Sequence, residues 1–431
     1  MRTHIHPISL QADENGHLAL GKEDLTDLAK HYGTPLYILD EATLRHNCQR
    51  FQNPLKKLYP NHLIAFAGKS CLTIGLLNLL AKEGLGVDVV SGGELYSALK
   101  SQMKKENIVF HGNNKSKEEL SLAIQNEIRI VIDNHQELRN IKETARQLGK
   151  KAHVLIRIKP EIEAHTHDYI KTGQIDSKFG IDKRELLSTI KEILASSECE
   201  FLGLHSHIGS QIFDIAPYTD LVSLMSEKMV LLKKELGLEI RELNLGGGMG
   251  IQYIESDDPY EIESFLETTA KKLISECQKA NLLLPKLILE PGRSIVGQAG
   301  ITLYTIGAIK TIPGIKDYLF VDGGMADNPR PIMYKAKYSF AIANKAGFTP
   351  SHLYSIAGKY CESGDILAEN ILLPKADVED ILVVFSTGAY NYSMASNYNR
   401  CCRPAMIMVG KDSVQTIVRR ETYHDLIRCD V

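Results

Sequence analysis

The sequence predicts an α/β protein made of a (β/α)8 barrel and a C-terminal antiparallel β domain that also includes the N-terminal segment. Through the first two-thirds of the 431 residues, short β-rich apolar runs alternate with longer stretches whose apolar residues recur every three or four positions. After about residue 300, strand-like runs continue without regular helices between them. We expect an N-terminal segment at 1–40, the barrel at 41–295 and the β domain at 296–431.

Eight strand-like runs account for the barrel. In order they are HLIAFAG (62–68), GVDVVS (86–91), NIVFHG (107–112), IRIVID (128–133), HVLIRIKP (153–160), FLGLHSHIG (201–209), ELNLGGG (242–248) and KLILEPG (286–292). Segments between them, such as KEELSLAIQN, have helical spacing, and this alternation predicts a parallel sheet. An open doubly wound sheet is the alternative, but eight units in about 250 residues favour the barrel.

The β domain is predicted from six later runs and one early run. The later runs are ITLYTIGAIK, DYLFVDGG, ILLPKA, DILVVFSTGAY, RPAMIMV and SVQTIVRRET. The early run TPLYILD (34–40) could add a strand to the same sheet. We therefore expect the barrel to be an insertion within a discontinuous β domain.

Composition and charge exclude several classes of function. The formal net charge is −3, from 50 basic and 53 acidic residues, which gives no reason to expect nucleic acid or a membrane as partner. No apolar stretch has the length of a signal peptide core or a membrane span, so we expect a soluble cytoplasmic protein. The eight cysteines form no CxxC pair, which argues against a zinc knuckle or a disulfide framework.

Polar residues follow the predicted barrel strands, and barrel enzymes build their sites at this end of the strands. The residues and motifs are Lys69, Asp88, Ser91, His111, Asp133, Arg157, HSHIGS, GGGMG, Glu290 and Arg293. Lys69 follows the first strand, where we expect an apolar mouth to favour the neutral amine, a Schiff-base nucleophile. An ordinary solvated lysine is the alternative.

Two further motifs on this rim indicate ligand chemistry. Three successive glycines, Gly246, Gly247 and Gly248, would let backbone N–H groups approach a phosphate, although such runs also mark tight turns. His205 and His207 form an HxH pair that suggests a metal site. No other strand end supplies a convincing ligand set with the pair, so we expect no metal, and we expect His207 to lie flat against a planar cofactor.

Together these features indicate pyridoxal 5'-phosphate (PLP). The lysine amine suits the aldehyde of PLP, the glycine run suits its phosphate, and the histidine suits the face of its ring. Glu290 would pair with the pyridine nitrogen and keep it protonated, which makes the ring a strong electron sink and favours decarboxylation.

In its motifs the chain resembles the PLP-dependent group IV decarboxylases, whose fold is a barrel plus a β domain. The motifs are PLYILDEATLR (35–45), DVVSGGEL (88–95), KTGQIDSKFGI (171–181), GLHSHIGSQI (203–212), LNLGGGMGI (243–251), LEPGRS (289–294), VDGGMADNPRPIMY (321–334), GKYCESGD (358–365) and STGAYNYSMASNYN (386–399). The resemblance covers nearly the whole chain. It departs at Cys71, where the family usually has Asn.

The resemblance implies decarboxylation of meso-2,6-diaminopimelate to L-lysine and carbon dioxide, with residue roles as follows. Lys69 carries PLP and Cys361, from the partner subunit of a homodimer with shared active sites, delivers a proton. The other cofactor contacts are His207, Ser210, Gly246, Gly247, Gly248, Glu290, Gly292, Arg293 and Tyr390. The substrate contacts are Arg293, Arg330, Tyr334, Glu362 and Tyr390.

The distal end of this substrate explains those contacts. It carries a carboxylate, which suits arginines, and an ammonium, which suits Glu362. Three other functions compete. An amino-acid racemase of this fold would place an arginine at the pyridine nitrogen, a non-catalytic PLP carrier would leave Cys361 unexplained, and a metal-dependent amidohydrolase would rest on the HxH pair alone.

Overall fold

The computed structural model describes residues 5–160 and 178–431, so the KTGQIDS part of one family motif lies outside the described residues. The chain divides into two compact units. The barrel unit consists of Cys48–Gly250 and Pro259–Gly292. The β unit consists of the N-terminal segment as far as Asn47, together with Ile251–Asp258 and Arg293–Val431. The domain boundaries expected at residues 40 and 295 stay a prediction.

The N-terminal segment begins with three short strands that pair in an antiparallel sheet of order β1-β2-β3. Its elements are β1 Leu10–Ala12, β2 Leu18–Leu20, β3 Glu23–Asp24, α1 Leu25–Tyr32, β4 Leu36–Asp40 and α2 Glu41–Leu58. All five residues of β4 are buried, which explains why this run is apolar despite its brevity.

The predicted barrel is confirmed: eight parallel strands close on themselves in the order β10-β11-β12-β5-β6-β7-β8-β9. The strands are β5 His62–Ala67, β6 Gly86–Val89, β7 Ile108–Phe110, β8 Arg129–Ile132, β9 Ala152–Arg157, β10 Cys199–His205, β11 Glu242–Asn244 and β12 Lys286–Leu289. The helices are α3 Ile74–Lys82, α4 Gly92–Leu99, α5 Lys117–Gln125, α6 His135–Leu148, α7 Leu186–Leu194, α8 Ala216–Leu236 and α9 Ile262–Lys279.

Local chemistry sets where the barrel helices begin. Thr73, Ser91 and Asn134 each cap a helix by accepting a backbone N–H three residues ahead. Ser116 and Glu119 form a reciprocal capping box at the start of α5. Because these caps lie two to six residues after the strands, they turn the chain away from the strand ends and leave those ends for functional residues. Inside the barrel, the side chains that form the core are Leu63, Ala65, Val109, Val131, Leu155 and Ile288.

The rest of the chain forms a nine-stranded sheet that contains β4, as predicted. Its elements are α10 Arg293–Val296, β13 Gly300–Ile312, β14 Lys316–Val321, α11 Arg330–Tyr334, β15 Phe340–Ile342, β16 His352–Ala357, β17 Ile366–Leu373, β18 Ile381–Val384, β19 Ala405–Val409, β20 Val414–Val418 and α12 Tyr423–Ile427. The main path runs β17-β16-β14-β13-β4-β19-β20, and β18 pairs with β13 and β15. The sheet is mixed, since β4–β19 and β14–β16 are parallel pairs. Among the described residues, no helix combines the length and apolarity needed to span a membrane.

Candidate active site

Lys69 lies at the C-terminal end of the first barrel strand, on a short 3-10 turn of Gly68–Ser70 that follows β5. Ser70 closes the turn by donating its hydroxyl to the carbonyl of Ala67 at 2.7 Å. A side chain at Gly68 would place a Cβ 2.8 Å from the carbonyl oxygen of Asp88. The turn therefore packs against the second strand and fixes the backbone that carries the lysine.

The expectation that Lys69 lies in an apolar mouth is wrong. Lys69 is exposed, and the carboxyl groups of Asp88 and Glu94 lie near enough for its charge to act on them. Burial raises the pKa of Asp88 to about 6 and that of Glu94 to about 7, against the opposing charge of Lys69. The mouth is polar, with carboxyl groups poised to titrate near neutral pH.

Glu290, directly after β12, is buried within a polar cluster. Its Oε1 accepts from His111 Nε2 at 2.7 Å and from the Asn244 amide at 2.6 Å, and its Oε2 lies 3.3 Å from His205 Nε2. Burial by itself raises the pKa of this carboxyl group, but the neighbouring imidazoles of His111 and His205 and their hydrogen bonds outweigh burial and hold the pKa well below its usual range. Glu290 is therefore an anion in the folded protein.

The HxH pair does not act as a pair. His205 ends β10 and faces Glu290, whereas His207 lies beyond the strand, where strand alternation no longer applies. No other strand end was expected to supply a ligand set with the pair. Ligand atoms of His111, His205 and Glu290 all lie within 4.8 Å of one another, but His207 is not in this group. The Glu290 carboxylate contacts both imidazoles through their Nε2 atoms.

His207 and the three glycines lie together. Gly247 N donates to His207 Nδ1 at 3.2 Å, and burial, followed by the charges of Lys69 and Arg157, lowers the pKa of His207 well below its ordinary value. A Cβ at Gly247 would lie 2.0 Å from the Glu290 carbonyl oxygen, and one at Gly248 would lie 2.4 Å from that of Gly209. Side chains are thus excluded from this loop, which presents backbone alone.

The loop that carries Ser210 is tied to this glycine run. Ile212 N donates to Gly248 O at 3.0 Å, and Gly250 N donates back to Ile212 O at 3.1 Å. These bonds tie the loop that carries Ser210 to the glycine run. Gly292 is held on the other side of the lysine turn, since a Cβ there would lie 3.0 Å from Ser70 Oγ.

These barrel residues fit PLP. A neutral imidazole at His207 suits stacking on an aromatic ring, and a backbone-only loop suits close approach to a phosphate. The carboxylate of Glu290 offers about four lone-pair sites. Three are used, two on Oε1 and one on Oε2, so Oε2 retains capacity for a ring N–H.

In the β unit, two buried arginines and three tyrosines form a second cluster, which we call the arginine–tyrosine cluster. Its members are Arg293, Arg330, Tyr253, Tyr338 and Tyr390. The Cζ atom of Arg293 lies 4.8 Å from the Tyr390 ring centroid, and Arg330 Nη1 donates to the Tyr338 hydroxyl at 2.6 Å. Tyr334 is half-buried at the other end of α11, the helix that starts with Arg330.

Cys361 and Glu362 lie apart from that cluster. Both are exposed, and no described contact joins either of them to the two arginines. Cys361 N donates to Asn399 Oδ1 at 2.8 Å, which holds the backbone of the loop rather than the thiol. The thiol itself points to solvent.

Sequence reasoning missed the residues that support these groups. Asn244 donates to Glu290 and accepts from Gly246 N at 2.9 Å, so it couples the carboxylate to the glycine loop. An asparagine inside the buried run LNLGGG was the available signal. No signal in the sequence pointed to Tyr253, because an isolated tyrosine after a glycine loop is typical of an ordinary core residue.

A cavity of about 530 Å³ lies at the opposite, N-terminal end of the barrel. It is lined by charges that already pair, including Arg129 with Glu242 at 2.8 Å and Arg241 with Glu200 at 2.7 Å. Chemistry in barrels belongs to the other end, and paired charges here suit closure of the barrel floor. We therefore assign this cavity no part in the reaction.

Comparisons with known proteins agree with this chemistry. Residues 42–297 match the family of the pyridoxal-dependent decarboxylases, pyridoxal binding domain. The chain is 44% identical to diaminopimelate decarboxylase of Synechocystis sp., over 98% of this chain and 92% of that protein. It is 43% identical to diaminopimelate decarboxylase of Bacillus subtilis, over 99% and 98% of the two chains.

Solved structures show the same likeness. A crystal structure of diaminopimelate decarboxylase from M. jannaschii in co-complex with L-lysine superposes with a TM-score of 0.91, at 37% identity and 98% coverage of both chains. One from Helicobacter pylori complexed with L-lysine gives a TM-score of 0.84, at 33% identity, over 93% and 98% of the two chains.

Proposed function

Because the chain belongs to the diaminopimelate decarboxylase family of pyridoxal-dependent decarboxylases, we propose that it converts meso-2,6-diaminopimelate to L-lysine and carbon dioxide. The reaction is the last step of lysine biosynthesis. The observation that carries the proposal is the buried anionic carboxylate of Glu290, held by His111, His205 and Asn244. A carboxylate at this position suits a cofactor that must accept a full electron pair.

Lys69 would hold PLP through its amine. His207 would stack on the ring, Gly246, Gly247 and Gly248 with Ser210 would bind the phosphate, and Gly292, Arg293 and Tyr390 would complete the cofactor contacts. When bound, PLP supplies the electron sink for the electron pair of the broken carboxyl bond. Glu290 would bind the ring nitrogen and keep it protonated, supported by its three donors.

The end of the substrate that does not react determines specificity. Arg293 and Arg330 bind its carboxylate, Glu362 binds its ammonium, and Tyr334 and Tyr390 complete the contacts. Guanidinium groups match a planar carboxylate and would repel a substrate that ends in an ammonium alone. The buried position of Arg330 supports this role, because a buried cation gains most from an anionic ligand.

Protonation completes the reaction. Loss of carbon dioxide leaves an electron pair on the α-carbon, and a proton must reach one face of that carbon. The thiol of Cys361 donates it. The exposure of Cys361 supports a role in the site of a neighbouring chain, so that the enzyme works as a homodimer with shared active sites. We place this reaction in the cytoplasm.

The main competing function, amino-acid racemisation on the same fold, would need an arginine at the ring nitrogen. We assign that position to Glu290, which carries the opposite charge. A decarboxylase therefore agrees better with the cluster than a racemase does.

Carbon dioxide release from four substrates tests the proposal. We expect kcat/KM for diaminopimelate to exceed those for ornithine, arginine and lysine by at least about thirtyfold, since a lost charge pair at a buried arginine costs roughly 2–5 kcal/mol. Arg330→Ala should remove most of this preference while PLP still binds. Arg400→Ala is the control, because Arg400 is exposed and pairs with Asp430. Equal turnover of ornithine by the native enzyme would contradict the assignment.

A further inference from the structure

Tyr253 lies at the centre of the arginine–tyrosine cluster. Arg293 Nη1 donates to its hydroxyl at 2.5 Å, and the Cζ atoms of Arg293 and Arg330 lie 5.6 and 4.7 Å from its ring centroid. Its ring also meets that of Tyr338 edge-on, with centroids 5.3 Å apart. Tyr253 is thus the one side chain of the cluster shown in contact with both arginines and with Tyr338.

The position of Tyr253 matters for the buried charge of Arg330. Arg330 is only 7% exposed, and the salt bridges of the described residues include none to it. Arg330 donates a hydrogen bond to the Tyr338 hydroxyl, and the faces of Tyr253 and Tyr338 lie against its guanidinium. A buried cation is costly without compensation, so the aromatic faces and phenol oxygens supply it until an anion binds.

The charge balance acts on the phenol as well. Burial raises the pKa of Tyr253, but the charges of Arg293 and Arg330 and their hydrogen bonds outweigh burial and lower it below the ordinary value. The Tyr253 oxygen is therefore strongly polarised toward the two guanidinium groups. A substrate carboxylate would meet the same pair of cations.

We infer that Tyr253 is a substrate-positioning residue that holds Arg293 and Arg330 in the arrangement that selects a substrate with a distal carboxylate. This inference rests on the proposed function, since it assumes that the two arginines bind that carboxylate. Tyr253 acts through the arginines and takes no part in the bond-breaking step. Losing its oxygen should weaken substrate binding and leave the chemical step intact.

The backbone around Tyr253 makes the inference testable. Tyr253 N donates to Asp257 Oδ2 at 2.9 Å, and its carbonyl accepts from Ser339 Oγ at 2.9 Å. Neither contact uses the phenol, so Tyr253→Phe removes one oxygen and keeps the ring in place. Tyr354 belongs to the same hydrophobic cluster and accepts from Ala376 N at 3.2 Å, which makes Tyr354→Phe a matched loss of a buried hydroxyl.

The experiment compares the holoenzymes of wild type, Y253F and Y354F. For Y253F we expect KM for diaminopimelate to rise at least tenfold, with kcat and the Kd for PLP each within threefold of wild type. Its slow turnover of lysine, which lacks the distal carboxylate, should be unchanged, so the preference for diaminopimelate falls by the same factor. Y354F should keep both KM and preference.

Two further variants separate positioning from folding. In an Arg330→Ala background, Y253F should add less than threefold to KM, because one of the arginines that it positions is gone. Tyr253→Gln, whose amide oxygen can accept from a guanidinium, should recover part of the affinity and serves as the test if Y253F does not fold. An unchanged KM in Y253F would overturn the inference. So would a rise in KM on adding Y253F to Arg330→Ala that is as large as the rise in the wild-type background. A wild type with no preference for diaminopimelate over lysine would instead overturn the proposed function.

Discussion

At the scale of single residues, the polar cluster around Glu290 shows how burial and hydrogen bonding determine which groups are protonated. Glu290 is buried yet anionic, because three donors surround it. His205 is buried as well, and burial together with the charge of His111 lowers its pKa to about 3. Asp88 differs from Glu290 because its Oδ1 lies 3.6 Å from His111 Nε2 and accepts no described hydrogen bond. Its pKa therefore rises where that of Glu290 falls.

The neutral state of His205 predicts a pH dependence of stability. Unfolded, His205 binds a proton below its ordinary pKa of 6.5, whereas the folded protein keeps it neutral down to about 3. The unfolded state thus binds more protons in this window, and the free energy of unfolding falls as the pH drops. Between pH 7 and 5 this single residue should cost about 2 kcal/mol.

Urea unfolding at pH 7, 6 and 5 measures this effect. His205→Asn should flatten the pH dependence by that amount, and His424→Asn, at an exposed histidine of α12, should leave it unchanged. Parallel curves for wild type and His205→Asn would show that His205 is protonated in the folded state.

Residue identities were only partly predictable from the sequence. Glu290, Lys69 and the glycines stood out because each is unusual directly after a buried strand. Asn244 and Tyr253 did not, since their partners are remote in sequence: Asn244 donates to Glu290, and Tyr253 lies beside Arg330. Contacts of this kind depend on tertiary packing, which periodicity does not encode.

At the scale of elements, the sequence predicted all eight barrel strands because parallel strands are buried on both faces and form continuous apolar runs. In the β unit, β15 and β16 were missed, and so were the three short N-terminal strands β1, β2 and β3. Strand β15 has three residues and is defined by its pairing with β18, and β16 begins with two exposed residues. Strands so short depend on their neighbours more than on their own composition.

The loop that carries Cys361 is another element whose shape comes from remote contacts. The Asp365 carboxylate accepts from Met325 N at 2.7 Å and from Tyr360 N at 2.9 Å. The Tyr360 hydroxyl donates to the buried Asp327 at 3.1 Å. Two buried carboxylates thus hold both sides of an exposed thiol, and the loop keeps one conformation without a hydrophobic core of its own.

Removing one anchor should impair proton delivery. Asp365→Ala leaves the N–H groups of Met325 and Tyr360 without their acceptor, at a cost of about 1–3 kcal/mol that loosens the loop. We expect kcat to fall at least tenfold while the near-visible absorbance of lysine-bound PLP is retained. Asp412→Ala is the control, because Asp412 is exposed and 3.9 Å from Lys22. Wild-type kcat in Asp365→Ala would show that the anchored loop conformation is not needed.

At the scale of the whole molecule, the chain order of the two units follows from one topological fact. Strand β4 precedes the barrel in sequence but pairs with β13 and β19, which follow it. The barrel is consequently an insertion into the β unit, as the sequence predicted from TPLYILD. Glu290 and Arg293 lie three residues apart in the motif LEPGRS, where the chain passes from the barrel unit to the β unit. This short turn therefore joins Glu290 covalently to Arg293 of the arginine–tyrosine cluster.

The homodimer with shared sites gives the last prediction, which needs two inactive variants. Lys69→Ala removes the lysine that we propose to hold the cofactor in the barrel unit, and Cys361→Ala removes the exposed thiol of the β unit. If each site takes Lys69 from one chain and Cys361 from the other, a mixed dimer has one intact site and one doubly defective site. An equal mixture with free subunit exchange contains half mixed dimers, so we expect activity to return to about a quarter of wild type. Mixing Lys69→Ala with His207→Ala is the control. The proposal takes Lys69 and His207 of each site from one chain, so this mixture should recover no activity. Absence of recovery with Cys361→Ala would mean that lysine and thiol act within one chain.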